Sequence, residues 1–184
     1  MPNYIAFLRA INVGGHVVTM DRLKVLFQDL GFSDVATFIA SGNVIFGSPI
    51  ADAPALEEKI ESHLLTSLGY KVATFIRTAD EVAVLARYRP FAEADTKKTP
   101  TLVIGFLKNA LAGSSKKLLV SMSSELDTLS TSGREIFWIG RNRQSESTFS
   151  NGVFEKRLSL QATFRGYATI VKLSRKYPGT AGTS

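Results

Sequence analysis

The sequence predicts an α+β protein made by tandem duplication of one β-α-β-β-α-β unit, each copy followed by an extra helix. The first observation behind this is a set of internal matches in constant order. Ile5-Ala6-Phe7-Leu8-Arg9 returns as Ile104-Gly105-Phe106-Leu107-Lys108. The run from Thr37 to Phe46, centred on Ser41-Gly42-Asn43, returns as Thr128 to Phe137, centred on Ser132-Gly133-Arg134. Ala73-Thr74-Phe75 returns as Ala162-Thr163-Phe164, and Ala79, Val82 and Tyr88 match Ala168, Val171 and Tyr177. The offsets are 99, 91 and 89 residues, so only the connections shorten, as a duplicated unit requires. The second observation is length: 184 residues are long for one domain and short for two, which halves of about 90 residues resolve. The third is the alternation of strand-like and helix-like periods along each half.

Within the first copy, Tyr4 to Ile11 is β-branched and aromatic enough for a strand. Thr19 is placed to cap a helix whose Leu23, Leu26, Phe27 and Leu30 recur at helical spacing before Gly31. Val35 to Ala40 and Val44 to Phe46 read as two strands joined through Ser41-Gly42-Asn43, a hairpin turn signal. Asp52, with Pro54 in the first turn, opens a second helix carrying Leu56, Ile60, Leu64 and Leu68 on one stripe and stopped by Gly69. Lys71 to Ile76 is a fourth strand. Thr78-Ala79-Asp80-Glu81 is a capping box, and its helix ends before Pro90.

The second copy starts at Thr101. A helix opens at Ser114 or Ser115 over Leu118, Leu119 and Met122, and the hairpin turns at Ser132-Gly133. Ser150 caps a shorter helix with Phe154 and Leu158, Gln161 to Arg165 forms the last strand, and Ala168 to Lys176 the last helix. This order is the ferredoxin-like pattern, an antiparallel sheet with both crossover helices on one face. The expected division is 1–91 for the first unit, 92–99 for a linker, 100–178 for the second unit and 179–184 for a flexible tail.

Composition excludes several chemistries. The chain has no cysteine, so disulfides, thiolate metal sites and cysteine nucleophiles are out. Its two histidines, His16 and His63, cannot build a histidine-rich metal cage; His63, among Glu58, Glu61 and Ser62, reads as exposed. No metal or cofactor is expected. Arg9 interrupts the apolar run of the N-terminus and no cleavage site follows, so no signal peptide is read. No segment approaches the ~20 apolar residues of a membrane span, and a cytoplasmic protein without a membrane partner is expected. The net charge of +6 is uneven: residues 1–133 hold 13 basic and 13 acidic residues, residues 134–184 nine and three. That excess reads either as an anion-binding face for phosphates or nucleic acid or as a solvated basic surface. Lys172, Arg175 and Lys176 near the end of the last helix have a structural reason in the helix dipole.

The candidate site residues follow from local chemistry. Asn12-Val13-Gly14-Gly15 lies between a strand and a helix, where exposed glycine backbone can approach an anion; the alternative is a plain flexible connection. No Gly-Lys pair exists for a Walker loop, and the third glycine and parallel setting of a dinucleotide fingerprint are missing. Arg9 shares a strand face with Ile5, Phe7 and Ile11, so its charge must reach a partner or a cleft at the strand end. Lys108 holds that place in the second copy. Arg141 and Arg143, in Gly140-Arg141-Asn142-Arg143-Gln144, form a basic loop suited to bidentate phosphate contacts. Arg165-Gly166-Tyr167-Ala168 imitates the start of an RNA-recognition signature but runs from a fourth strand into a helix, where that signature does not belong.

Tyr4 through Gly15, Leu30-Gly31-Phe32 and Ser41-Gly42-Asn43-Val44-Ile45-Phe46 resemble the DUF1697 family of bacterial proteins, as do Phe154-Glu155-Lys156 and Ala162-Thr163 through Val171-Lys172-Leu173. The resemblance implies two ferredoxin-like units and carries no activity. Its polar motif positions fall on Arg9, Asn12, Gly14, Gly15, Ser41, Gly42 and Asn43. In such a unit the exit of the first strand is expected beside the exit of the third, away from the turn between strands two and three. Two departures stand out: Ala10 where members commonly have Gly, and Arg165-Gly166-Tyr167-Ala168 where they have Arg-Asn-Trp-Asn.

The expected function is therefore non-catalytic binding of a phosphate-bearing small molecule or short nucleic acid between the units, through Arg9, Asn12, Gly14, Gly15, Ser41, Asn43, Arg141, Arg143 and Arg165. Two alternatives stay open. One is an enzyme acting on a small anionic substrate. The other is a module that homodimerises through an open sheet face, which Trp138 and Phe106 on an exposed apolar patch would support.

Overall fold

The structure, a computed structural model, describes residues 1, 3–90 and 101–180. The expected linker at 92–99 and residues 181–184 of the expected tail lie outside the described residues. The chain divides into two compact units, Met1–Val84 with Leu173–Ser184, and Leu85–Lys172.

The first half of the chain runs β1 (Asn3–Leu8), α1 (Met20–Asp29), β2 (Ser33–Thr37), β3 (Asn43–Gly47), α2 (Ala53–Leu68), β4 (Thr74–Thr78) and α3 (Ala79–Arg87). The second runs β5 (Thr101–Phe106), α4 (Gly113–Ser121), β6 (Asp127–Ser132), β7 (Glu135–Gly140), a 3₁₀ turn at Gln144–Glu146, α5 (Asn151–Leu158), β8 (Thr163–Gly166) and α6 (Tyr167–Lys176). Two four-stranded sheets result, ordered β2-β3-β1-β4 and β6-β7-β5-β8, with every neighbouring pair antiparallel. With six α-helices among the described residues, this is an α+β protein consistent with a duplicated unit.

Each core forms because period-2 strands meet period-3.6 helices. Tyr4, Ala6 and Leu8 of β1, Val44 and Phe46 of β3 and Ile76 of β4 pack against Leu23, Leu26 and Phe27 of α1 and Leu56, Ile60 and Leu64 of α2. Phe32 stacks on Phe46 with ring centroids 4.4 Å apart. In the second unit Val103, Leu129, Ile136 and Trp138 meet Leu119, Phe149 and Phe154. The expected caps are present at three helices: Thr19 accepts from the Arg22 N–H, Ser150 from Val153, and Thr78 with Glu81 closes a capping box. Gly69 ends α2 in the left-handed conformation that glycine alone adopts cheaply. Helix α4 departs from expectation: it opens at Gly113 behind Ala112, with no side-chain cap, rather than at Ser114 or Ser115.

Strands β4 and β8 are sheet edges whose outward N–H groups need partners. Glu57 and Glu61, one turn apart on α2, accept from the N–H groups of Ile76 (3.0 Å) and Thr74 (2.8 Å). In the second unit Glu155 accepts from the N–H of Ala162 at 3.2 Å.

The strand ladders revise the repeat alignment. Ile5 faces Ile45 and Arg77 across its two neighbours, and Ile104 faces Phe137 and Arg165. With β1 and β5 offset by 99, the structural offsets are 92 for β3 and β7 and 88 for β4 and β8. The expected 91 and 89 rest on matched residue names and are one residue out. In a strand that slip exchanges the faces: Phe46 packs toward its helices, whereas Phe137 faces away from Trp138's side. The trailing helices confirm 88, since buried Val82 and Leu85 correspond to buried Ile170 and Leu173.

Candidate functional site

Antiparallel pairing of β1 with β3 brings the exit of one to the entry of the other. The N–H of Leu8 donates to the Gly42 carbonyl at 2.8 Å, and that of Arg9 to the Ala73 carbonyl at 2.8 Å. The expectation that the Ser41-Gly42-Asn43 turn lies away from the exit of β1 is therefore wrong. It placed two exits together, which an antiparallel neighbour cannot do. At this end of the first unit's sheet, Gly42 (φ 76°) sits where a Cβ would come within 3.0 Å of Ile11 Cγ2 and 3.1 Å of Leu8 Cβ.

The β2–β3 connection is longer than expected. Strand β2 stops at Thr37, residues 38–42 form the loop, and Asn43 already belongs to β3. Buried Asn43 organises this loop: its Nδ2 donates to the Phe38 carbonyl (2.9 Å) and to Ser41 Oγ (3.0 Å), and its carbonyl accepts from the Phe38 N–H. Ser41 is exposed.

The facing loop, 9–19, is held by side chains. Asn12 Oδ1 accepts from the Val18 N–H at 2.6 Å. Tyr70 donates its hydroxyl to the Ile11 carbonyl at 2.8 Å, and its ring stacks on His16 with centroids 3.8 Å apart. Burial raises the Tyr70 phenol above its ordinary range. Gly14 and Gly15, at φ 69° and 84°, are exposed with open space around them. Arg9 is half-buried and stands just past the end of β1, so it does not share the strand face of Ile5 and Phe7. Two non-glycine residues here take left-handed backbone, Ala10 (φ 54°) and Ile39 (φ 58°), a conformation that L side chains occupy at a cost. Beside the hairpin, Lys176 Nζ lies 5.6 Å from the centroids of both Phe38 and Tyr177.

The remaining candidates belong to the second unit and do not share one place. Arg141 and Arg143 are exposed on the loop beyond β7, at the sheet end where Gly140 pairs with Thr101. Arg165 lies within β8, 8% exposed, donating to Thr163 Oγ1 and the Phe164 carbonyl, with burial pushing its guanidinium down to about 10. The counterpart of the first unit's site is the pair of Lys108 and Arg134, where the N–H of Leu107 donates to the Arg134 carbonyl.

Sequence reasoning missed several residues. Arg77 is fully buried at the ladder position equivalent to Arg165, and it too donates to the carbonyl of the residue before it. A charge among Phe75 and Ile76 was the available signal. Tyr70 had none, because its role depends on a loop 59 residues away. His63 is half-buried rather than exposed, and its Nε2 is buried without a hydrogen-bond partner. Trp138 and Phe106 are buried and form no exposed apolar patch. At the opposite end of the first unit's sheet, a cavity of about 370 Å³ is lined by Asn3, Thr78, Asp80, Gly179 and Thr180 among others, and the Thr180 hydroxyl donates to Asp80 there. Among the described residues no cluster of three His, Asp or Glu could hold a metal ion, and no helix is long and apolar enough to cross a membrane.

The fold and this loop-built sheet end define an α+β protein with a duplicated unit. The model of the family described as "Protein of unknown function (DUF1697)" matches residues 1–137, and the chain belongs to that family. Among solved structures it is similar to the conserved bacterial protein SP0830 from Streptococcus pneumoniae, at 22% identity and a TM-score of 0.73, over 96% of this chain and 98% of that one. No curated protein matches significantly.

Proposed function

We propose that the chain consists of two ferredoxin-like units and that the first binds a phosphate-bearing small molecule at the sheet end formed by Arg9–Gly15 and Ser41–Asn43. The β-α-β-β-α-β order and the strand order β2-β3-β1-β4, repeated as β6-β7-β5-β8, support the first part. One observation carries the second: the β1–β3 register joins the two polar motifs through the Leu8–Gly42 hydrogen bond. Strained backbone at Ala10 and Ile39 gathers at that same end, as it does at ligand sites where surrounding structure holds unfavourable dihedrals in place. Arg9 supplies charge, the exposed Gly14–Gly15 backbone supplies N–H donors to an anion, and Asn12 and Tyr70 fix the loop before a ligand arrives, which lowers the ordering cost of binding.

Isothermal titration calorimetry with inorganic phosphate, pyrophosphate and nucleoside monophosphates tests this. Saturable binding is expected, weakened in Arg9→Ala by a factor of roughly ten to a hundred, the value of a charged hydrogen bond of about 1.5–3 kcal/mol. Absence of heat with all three ligands refutes the reading. Binding that Arg9→Ala leaves intact moves the site elsewhere.

A further inference from the structure

We propose that the loop at 141–146 of the second unit is a separate docking surface for the phosphate backbone of nucleic acid. All six of its residues are exposed, and neither the Arg141 nor the Arg143 guanidinium has a hydrogen-bond or ion-pair partner among the described residues. Glu146 is the loop's single carboxylate.

What separates this from an idle solvated loop is how firmly its backbone is fastened. The Arg141 N–H donates to the Leu126 carbonyl at 2.8 Å, the Asn142 carbonyl accepts from the Thr101 hydroxyl at 2.8 Å, and the Glu146 N–H closes onto the Arg143 carbonyl at 2.9 Å. The far end is tied by Ser147, whose hydroxyl donates to Asp127 Oδ2 at 2.5 Å. Asp127 is 1% exposed, and its other oxygen accepts from Trp138 Nε1 at 2.7 Å. A buried carboxylate is costly unless hydrogen-bonded; here it anchors a loop whose two arginines have no side-chain partner among the described residues. Because the backbone is already ordered, engaging phosphates costs side-chain freedom but no further ordering of the loop.

The partner follows from shape and composition. Every residue from 141 to 146 is exposed, so an extended polyanion can reach both arginines at once. Insertion into a bilayer needs apolar side chains, and residues 140–147 contain only Gly, Arg, Asn, Gln, Ser and Glu. A strand of phosphates fits, read through charge and without base recognition.

The test is fluorescence anisotropy with a short labelled DNA duplex and its single strand, at about 50 and 200 mM salt. With two phosphate contacts the duplex affinity falls roughly tenfold across that range. Arg141→Glu with Arg143→Glu lowers affinity on the order of tenfold or more and reduces the log–log salt slope by about 2. Arg22→Glu with Lys24→Glu, an equal change of charge on exposed positions of α1, leaves affinity within about twofold. Circular dichroism confirms that both variants fold. Three results overturn the proposal: no binding to either oligonucleotide at the lower salt, equal weakening by the control pair, or binding to anionic lipid vesicles without binding to nucleic acid. None of them bears on phosphate binding by the first unit.

Discussion

Replacing Ala10 with glycine should stabilise this protein, although glycine is normally the more costly residue to fold. Ala10 holds φ at 54°, where a Cβ crowds the following carbonyl at a cost of about 1–2 kcal/mol. Glycine removes that cost. Against it stands the extra freedom that glycine gives the unfolded chain, about 0.4–1 kcal/mol. Ala10 is exposed, so little packing is lost with the methyl group. The midpoints, about 1.5 and about 0.7 kcal/mol, leave a net gain of about 0.8 kcal/mol, a rise in Tm of roughly 2–3 °C for a chain of this size. Urea unfolding followed by circular dichroism measures it directly, provided the m-value is unchanged. An Ala10→Gly variant as stable as the parent, or less stable, would refute the view that this loop holds strain.

Glu57→Ala strips the outward N–H of Ile76 of its acceptor on a buried sheet edge and should cost about 1–3 kcal/mol, whereas Glu57→Gln, which keeps an oxygen there, should cost less than half as much; equal losses in urea unfolding would show that charge, and not the capped edge, matters. Tyr70→Phe removes the hydroxyl bond to Ile11, and a loss of about 1 kcal/mol at neutral pH is expected. Tyr70 also carries a pH signature. Its folded-state pKa lies above the free value of 10.0, so the stability it contributes is complete below pH 10 and declines as pH rises through the folded value. Tyr70→Phe should therefore lose less stability than the parent across the alkaline range, and parallel curves would exclude a raised phenol pKa.

Much of this structure was readable from residue patterns. The helices α1, α2, α3, α5 and α6 lie within a few residues of their expected spans because their stripes and caps are local signals: Thr19, Ser150, Gly69 and the Thr78–Glu81 box each act within one turn. Strand limits were less certain. Strand β1 ends at Leu8 rather than continuing to Ile11, and β4 begins at Thr74 rather than Lys71, since hydrogen bonding to neighbours, and not composition, decides where a ladder stops.

From the sequence alone came the duplication, the α+β class, the absence of cysteine chemistry and the polar motifs around Arg9 and Gly42. Those are properties of residue type and of spacing along the chain. The tertiary structure decided that the motifs meet, that Tyr70 and Asn43 brace them, that Arg77 and Arg165 occupy matching buried positions, and that Arg141 and Arg143 are exposed on the loop beyond β7. These depend on register. A sheet reads side chains with a period of two, so a one-residue slip that leaves the similarity of two segments intact moves every side chain to the other face. Only the hydrogen-bonded ladder, closing contacts between residues tens of positions apart, removes that ambiguity.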